Sequence, residues 1–478
     1  MAAPEKKSQP HVCVVGAGIS GLRCADVLLQ HGFQVTIFEA RERIGGRILT
    51  QPEGLTPMKH ATGGKHPIRD LAIATSTPLH TWNSHQNIYT SSGTLLPKAK
   101  AASLSTLLWD IIEEAFEYSE AHGASIPETA SLYDFIAEKV IEKIPGDDET
   151  AREDRKLVSE MSEMWGAYVG HPVSRQSLKF AWLEECCGGE EMFIETTYES
   201  IFEAISKPAL DGAVIQLKKR VTKITTPEAR NSSKISVTTE EGQKFEFDEV
   251  VLTTPLGWLK RNKAAFQPAL PERILQGMEN ISVGILEKVY ITFPTAFWTE
   301  GLEDNFAGYT NWLSPAYASD TNPHQWPQEI WNLAAFSPEN RRPTILFYIY
   351  GDCSTYITTL VRGKADAEHY TLLDAFFKPY YSLLPNFEEG KAECKPKAIL
   401  STEWQKDELN GNGSYCNFQV GIKDAAGDVK AIREGCPERR LWFAGEHTAP
   451  FEELGTAAGA YMSGEAVGTR IAEKYKAI

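Results

Sequence analysis

The sequence predicts an α/β protein in which one parallel-sheet domain is assembled from separated stretches of chain and a second domain is inserted between them. Three observations carry this prediction. A strand, glycine turn, helix and second strand open the chain, within about 30 residues. An equally glycine-punctuated strand, turn and helix close it. Between them, helix-period and strand-period stretches alternate in blocks, with no internal repeat and no long low-complexity linker. At 478 residues the chain is too long for one simple core.

In order, "HVCVVGAGISGLRCADVLLQHGFQVTIFEA" starts with an apolar run, Val12 to Val15, and continues through a helical stretch from Ile19 to Leu29. Gly32 stops that helix, and a second apolar run, Val35 to Phe38, ends at Glu39. From about 100 to 205 the pattern is helical, and the acidic "PGDDETAREDR" reads as a solvated loop and helix start. Strands return from about 212 to 255, separated by turn signals at Asn-Ser-Ser and Glu-Gly. Residues 283 to 350 mix strands with long connections rich in Pro, Trp and Asn, and "TILFYIYG" is a buried-strand candidate. "LWFAGEH" is the last strand, followed by a glycine-bearing loop and a terminal helix. The expected division is 1–95, 206–275 and 396–478 for the discontinuous domain, and 96–205 and 276–395 for the inserted one.

Composition narrows the class of protein. A hydrophobic fraction of 42% with 23% charged residues is that of a soluble globular chain. The net charge of −16 argues against nucleic acid as a partner, because phosphate binding needs a basic footprint. Nothing approaches 18 consecutive apolar residues, so no membrane span is expected. The polar start "MAAPEKKSQP" does not read as a signal peptide. The eight cysteines show no CxxC pair and no zinc spacing, which suits buried thiols in a reducing compartment and no metal site. A cytoplasmic location, as monomer or homodimer, is the expectation.

Gly16-Ala17-Gly18-Ile19-Ser20-Gly21 is a G-x-G-x-x-G that follows a strand and opens a helix. Gly16 allows the tight turn, Gly18 lets backbone approach a pyrophosphate, and Gly21 lets helix pack on strand. The helix start offers free N–H groups and partial positive charge to the phosphates. Glu39, at the end of the second strand, is placed to accept ribose hydroxyls. This is a Rossmann-type unit, and it does not by itself separate NAD from FAD.

The following residues, "EARERIGGR", make the match specific. "VVGAGISGL…IFEARERIGGR" resembles the flavoprotein amine oxidases, the family of monoamine oxidases, polyamine oxidases, L-amino-acid oxidases and lysine-specific histone demethylases. "VVLTTPLGWLK", "ILEKVYITFPTAFW" and "LWFAGEHTAPFEELGTAAGAYMSGEAVG" resemble further family segments in the right order, so the likeness spans nearly the whole chain. It implies a glutathione-reductase-like FAD-binding domain and a substrate domain with a mixed sheet flanked by helices. It also implies that FAD is lined by Gly16, Gly18, Ile19, Ser20, Gly21, Glu39, Ala40, Arg41, Gly46 and Arg47. Further along the chain, Val221 clamps the adenine, and Trp404, Gly445, Glu446, Thr456 and Ala457 complete the lining. Lys288 falls on the family's flavin lysine, which holds a water against the flavin. Alternation in Leu286-Glu287-Lys288-Val289-Tyr290 would turn Lys288 inward with Leu286 and Tyr290. An inward lysine is expensive without a function.

On the substrate side, Tyr415 matches the aromatic ring that faces the flavin. Ser414 stands where monoamine oxidases carry a cysteine bonded to FAD, and a serine cannot form that thioether. Non-covalent FAD is expected, unless Cys416 substitutes. Thr456 takes the place of a second ring, leaving a wider passage that resembles the polyamine-oxidase-like branch. Glu184, Glu185, Glu190 and Glu191 are possible anchors for a cationic substrate, although a solvated acidic turn is the plainer account of most of them. After "GGR" the family usually continues with a Trp- and His-bearing phrase that packs on the flavin. Here "TPMKHATGGKHPI" replaces it; His60 aligns with the motif's histidine, Met58 stands near the Trp position, and His66 reads as part of a solvated loop.

The resemblance implies oxidation of an amine C–N bond, polyamine-like, with O2 as the second substrate and imine or aldehyde, amine and hydrogen peroxide as products. The alternatives are an amine oxidase of specialised metabolism with a remodelled pocket, or a non-catalytic flavin-binding protein.

Overall fold

In a computed structural model, the chain is described over residues 9–48, 66–81, 85–185, 192–227, 234–304, 306 and 308–476. The opening unit forms as the pattern predicts: β1 (His11–Val15), α1 (Ile19–Gln30) and β2 (Gln34–Phe38). β1 and β2 pair in parallel, and both are buried along almost their whole length, as expected of strands covered by helices on both faces. Glu249–Leu252 pairs in parallel on the other side of β1, and Leu441–Phe443 pairs with that strand in turn. Val214–Gln216 closes the opposite edge beside β2. Five strands from four widely separated stretches of chain therefore build one parallel sheet.

The C-terminal helix (Ala457–Lys476) lies along α1, and small residues let the two backbones meet. A Cβ on Gly464 would stand 2.1 Å from the Ser20 carbonyl oxygen, so only glycine permits this approach. A four-stranded sheet containing Val221–Thr225 adjoins the parallel sheet through one apolar core that includes Phe38, Val221, Val250 and Phe443.

The second large sheet has six strands and is mixed. Its antiparallel centre is β3 (Leu286–Thr292), β4 (Tyr309–Trp312), β5 (Gln328–Asn332) and β6 (Thr344–Tyr350), in the spatial order β3-β6-β5-β4. Ala398–Ser401 pairs with β3 and Gln86–Tyr89 pairs with β4 at the two edges, so both strands join this sheet although each was assigned to the discontinuous domain. One face of this sheet packs through Val289, Ile291, Trp312 and Phe347 on the helices Gly351–Leu360 and Asp366–Tyr381. The helices Lys98–His122, Leu132–Lys143 and Glu149–Ser162 form a separate apolar cluster. Asp148 caps the last of these by accepting the Ala151 N–H at 2.9 Å, as the acidic stretch suggested. Cys13, Cys24, Cys353, Cys394, Cys416 and Cys436 are all buried free thiols. No helix among the described residues is long and apolar enough to cross a membrane.

Candidate active site

The site starts at the turn between β1 and α1. Gly16 has φ of +112°, and its N–H donates to the Phe38 carbonyl at 2.8 Å. A Cβ on Gly21 would lie 2.0 Å from the Gly16 carbonyl oxygen, so the turn and the first helical turn are pressed together. Gly18 is different: no heavy atom lies within 4 Å of where its Cβ would be. The middle glycine thus faces open space at a helix start, where a phosphate can meet free N–H groups. Ser20 turns its hydroxyl away, to Ser463 Oγ at 3.2 Å, so its backbone is what remains for a phosphate. Ile19 is buried in the core beneath.

Glu39 is buried, and its two oxygens accept the N–H groups of Ala17 (2.9 Å) and Arg41 (2.8 Å). That locks the carboxylate in place with lone pairs to spare for hydroxyl donors. The N–H groups of Lys218 and Lys219 donate to the carbonyls of Arg41 and Glu39, which brings Val221 beside the same carboxylate. Arg41 is held by Asp407 at 2.8 Å and Asn410 at 3.0 Å, and Ala40 lies between these anchored neighbours. Gly45 donates to the Ala17 carbonyl at 2.9 Å, so Gly46 sits against Gly18.

Arg47 joins the two ends of the chain. Its guanidinium donates to the Ser414 carbonyl and to Glu446 at 3.2 Å. Burial alone would push the Glu446 carboxyl up, but Arg47 and the Cys416 N–H outweigh it and hold the group below the usual carboxylate range. His447 beside it is 1% exposed, and neither ring nitrogen has a hydrogen-bond partner. Burial lowers this histidine to about 4, so at neutral pH it is uncharged and its 4.0 Å approach to Glu446 is no ion pair. Gly445 donates to Ser463 Oγ at 2.9 Å, which ties this loop to the C-terminal helix.

Lys288 lies on β3 with Leu286 and Tyr290, inward as alternation predicts. Its Nζ stands 5.1 Å from the Tyr348 ring centre and 5.7 Å from that of Trp404. Burial alone lowers it to about 8. The side chain as a whole is half-buried. On the opposite face of β3, the buried Glu287 accepts from Thr402 Oγ1 and from the Gln405 N–H at 2.8 Å, fastening Trp404 beside Lys288.

Tyr415 donates its hydroxyl to the Tyr168 carbonyl at 2.5 Å, and its ring lies against Gly455, next to Thr456. Thr456 spends its side chain locally. Its hydroxyl donates to Glu453 Oε2 at 2.8 Å and accepts the Gly459 N–H at 2.8 Å, capping the C-terminal helix ahead of Ala457. Ser414 donates to the Gly284 carbonyl at 3.0 Å. Cys416 is no substitute nucleophile: burial first, then Glu446, push its thiol well up.

Two sequence expectations need correcting. His66 is not in a solvated loop; it is 3% exposed, accepts the Arg69 N–H at 3.2 Å as the cap of Pro67–Ala74, and stands 3.7 Å from Glu453. Glu184 is not a surface acid either. It accepts the Phe418 N–H at 3.3 Å, and burial raises its carboxyl to about 7. Glu185 is exposed, as a solvated turn would have it. His60, Met58, Glu190 and Glu191 lie outside the described residues. Arg43, His447 and Tyr348 were missed. Arg43 donates to the Gly46 carbonyl at 3.0 Å, and its signal was its place within "RERIGGR". Tyr348 could be found only from strand register.

An open glycine at a helix start, a locked carboxylate and unpartnered buried polar atoms on His447 and Thr254 suit a dinucleotide. Such a site defines a dinucleotide-binding protein. The model of the flavin-containing amine oxidoreductases matches residues 19–472, and the chain belongs to that family. Its cofactor is accordingly FAD, and Ser414 leaves it without the thioether link.

Among its relatives, the lysine-specific histone demethylase 1 homolog 2 of Arabidopsis thaliana is 27% identical over 96% of this chain but only 58% of its own length. Polyamine oxidase 4 of Oryza sativa subsp. japonica is 26% identical over 96% of this chain and 87% of its own. The cyclohexylamine oxidase from Brevibacterium oxydans IH-35A superposes with a TM-score of 0.71 at 19% identity, over 98% of this chain and all of that one. That likeness speaks to the fold.

Proposed function

We propose that the chain is an oxidase of amine C–N bonds acting on a polyamine-like substrate, with O2 as acceptor and imine or aldehyde, amine and hydrogen peroxide as products. The observation that carries this reading is Lys288. It is a cation buried beside two aromatic faces with no carboxylate partner among the described residues. FAD, when bound, supplies the two-electron acceptor and the reaction with dioxygen. The chain's own residues do the rest. Tyr348, Trp404 and Tyr415 offer aromatic faces that pack on the carbon chain of an amine and exclude water around the reacting carbon. Lys288 holds a water at its Nζ, and its positive charge favours a substrate nitrogen that arrives neutral. The buried Glu446 and the half-buried Arg47 form the ion pair that ties the two ends of the chain together at the cofactor.

The residue roles and the domain division given from sequence form part of this proposal. Its test is anaerobic bleaching of the bound flavin with a panel of polyamines, monoamines and amino acids, followed by peroxide release on admitting air. Bleaching by amines is expected. A yellow protein bleached by no amine would overturn the oxidase reading in favour of a non-catalytic flavin-binding protein.

A further inference from the structure

Three arginines stand on one short loop beside the dinucleotide cradle, and they are not equivalent. Arg41 is held by Asp407 at 2.8 Å, and Arg47 by Glu446 at 3.2 Å. Arg43, between them, has no carboxylate partner among the described residues. Its guanidinium donates only to carbonyls of its own loop: Nη1 to Ile44 at 3.1 Å and Ile48 at 3.4 Å, and Nη2 to Gly46 at 3.0 Å. The side chain is half-buried, and burial first, then the neighbouring Arg41, lower its pKa from the usual arginine value. A partly desolvated cation with no acid against it is costly unless something else supplies the negative charge.

The turn that Arg43 clasps is packed on the phosphate end of the cradle. Gly45 and Gly46 have φ of +104° and +57°, a path that suits glycine. The Gly45 N–H donates to the Ala17 carbonyl at 2.9 Å, and a Cβ on Gly46 would stand 3.5 Å from the Gly18 Cα. Gly18 is the open glycine at the start of α1, where the helix N-terminus offers about half a positive charge. A diphosphate brings more negative charge than that. The nearby Glu39 carboxylate adds to it, since its two oxygens are held by neutral N–H groups of Ala17 and Arg41. With Arg41 and Arg47 already matched by acids, Arg43 is the guanidinium of the three whose charge is left over.

We propose that Arg43 balances the charge of the bound FAD diphosphate and, by clasping three carbonyls, fixes the Gly45-Gly46 turn beside it. It is a positioning residue, which touches the turn and acts through it. The inference rests on FAD as the cofactor and is independent of which amine the chain oxidises.

The test reads FAD affinity, not turnover. The flavin-loaded full chain is diluted, and the fluorescence of released FAD gives the dissociation constant at low and at high salt. Wild-type affinity should fall as salt rises, because salt screens the attraction between a half-exposed guanidinium and the diphosphate. Arg43→Met should raise the dissociation constant at least tenfold at low salt, with the gap to wild type narrowing at high salt. Arg43→Lys keeps the charge but cannot span three carbonyls. It should keep the wild-type salt response and regain only part of the affinity. Thermal melts separate cofactor loss from general instability: without flavin both variants should melt close to wild type, and added FAD should raise their melting temperatures less. Salt-independent FAD affinity in wild type overturns the inference, and that arm needs no variant to fold. Full flavin retention by Arg43→Met overturns it too, as does an Arg43→Lys chain that binds FAD as tightly as wild type or as weakly as Arg43→Met at every salt concentration. A lower melting temperature with unchanged FAD affinity would leave Arg43 a structural clasp alone, against the proposal.

Discussion

Lys288 shows how a single residue is held against its own preference. The side chain is surrounded by aromatic carbon and carries no neighbouring carboxylate among the described residues, so burial brings its pKa down from 10.5 to about 8. At 1.36 kcal/mol per unit, the charged form is disfavoured in the folded chain by about 3 kcal/mol. The direction in pH follows: below pH 8 both folded and unfolded chains are protonated and the cost is constant, whereas between pH 8 and 10.5 only the unfolded chain holds the proton. Stability should therefore rise across that window. Lys288→Met is expected to be more stable than wild type by up to about 3 kcal/mol in urea at pH 7, with the gap closing by pH 10. The same variant should turn over amines at least tenfold more slowly. Wild-type activity should rise through a transition near pH 8 that the variant lacks, because a neutral Lys288 no longer repels a protonated substrate. Equal stability at pH 7, or an unchanged pH profile, would remove the buried lysine from the account.

At the level of elements, the junction of β1, α1 and the C-terminal helix separates folding from binding. Gly21 and Gly464 each have a backbone oxygen about where a Cβ would be, at 2.0 and 2.1 Å. Gly18 has nothing nearby and an ordinary negative φ of −81°. Gly18→Ala should thus fold with a melting temperature close to that of the wild-type apoprotein, yet lose most of its flavin, since the added methyl occupies the phosphate approach. Gly464→Ala should instead prise apart the two helices and cost several kcal/mol, with little folded protein recovered. Flavin absorbance per protein and thermal melts of both variants check the pair. A Gly18→Ala protein that keeps full flavin would show that the phosphates run elsewhere.

For the whole molecule, acid is the condition that should expose how the buried site is built. His171 and His447 are both lowered by burial from 6.5 to about 4, one beside the Val283 carbonyl and the other beside Glu446. A folded pKa below the unfolded one means the unfolded chain binds more protons between pH 6.5 and 4, so stability is lost as pH falls through that window. Each histidine accounts for at most about 3 kcal/mol. Glu184, raised by burial to about 7, works the other way over much of this window. The check is therefore the difference between two chains: in chemical denaturation wild type should lose more midpoint between pH 6.5 and 4 than His447→Gln does. A variant as acid-sensitive as wild type would mean that His447 is not held neutral.

The sequence by itself determined the βαβ unit, the FAD family and the inward direction of Lys288. Each depends on local order, whether glycine spacing, the acid at the end of a strand or period-two alternation, and these survive without knowledge of partners. Only the tertiary structure decided which side chains remain free to act. The Thr456 hydroxyl is spent on capping a helix, and His66 was expected in solvent, but it is buried against Glu453. Asn311, Glu329, Tyr348 and Lys288 lie far apart in the chain and meet only through the register of four strands. Register is set by how a whole sheet buries one face, and a single stretch of sequence holds no record of the residues that will lie opposite it.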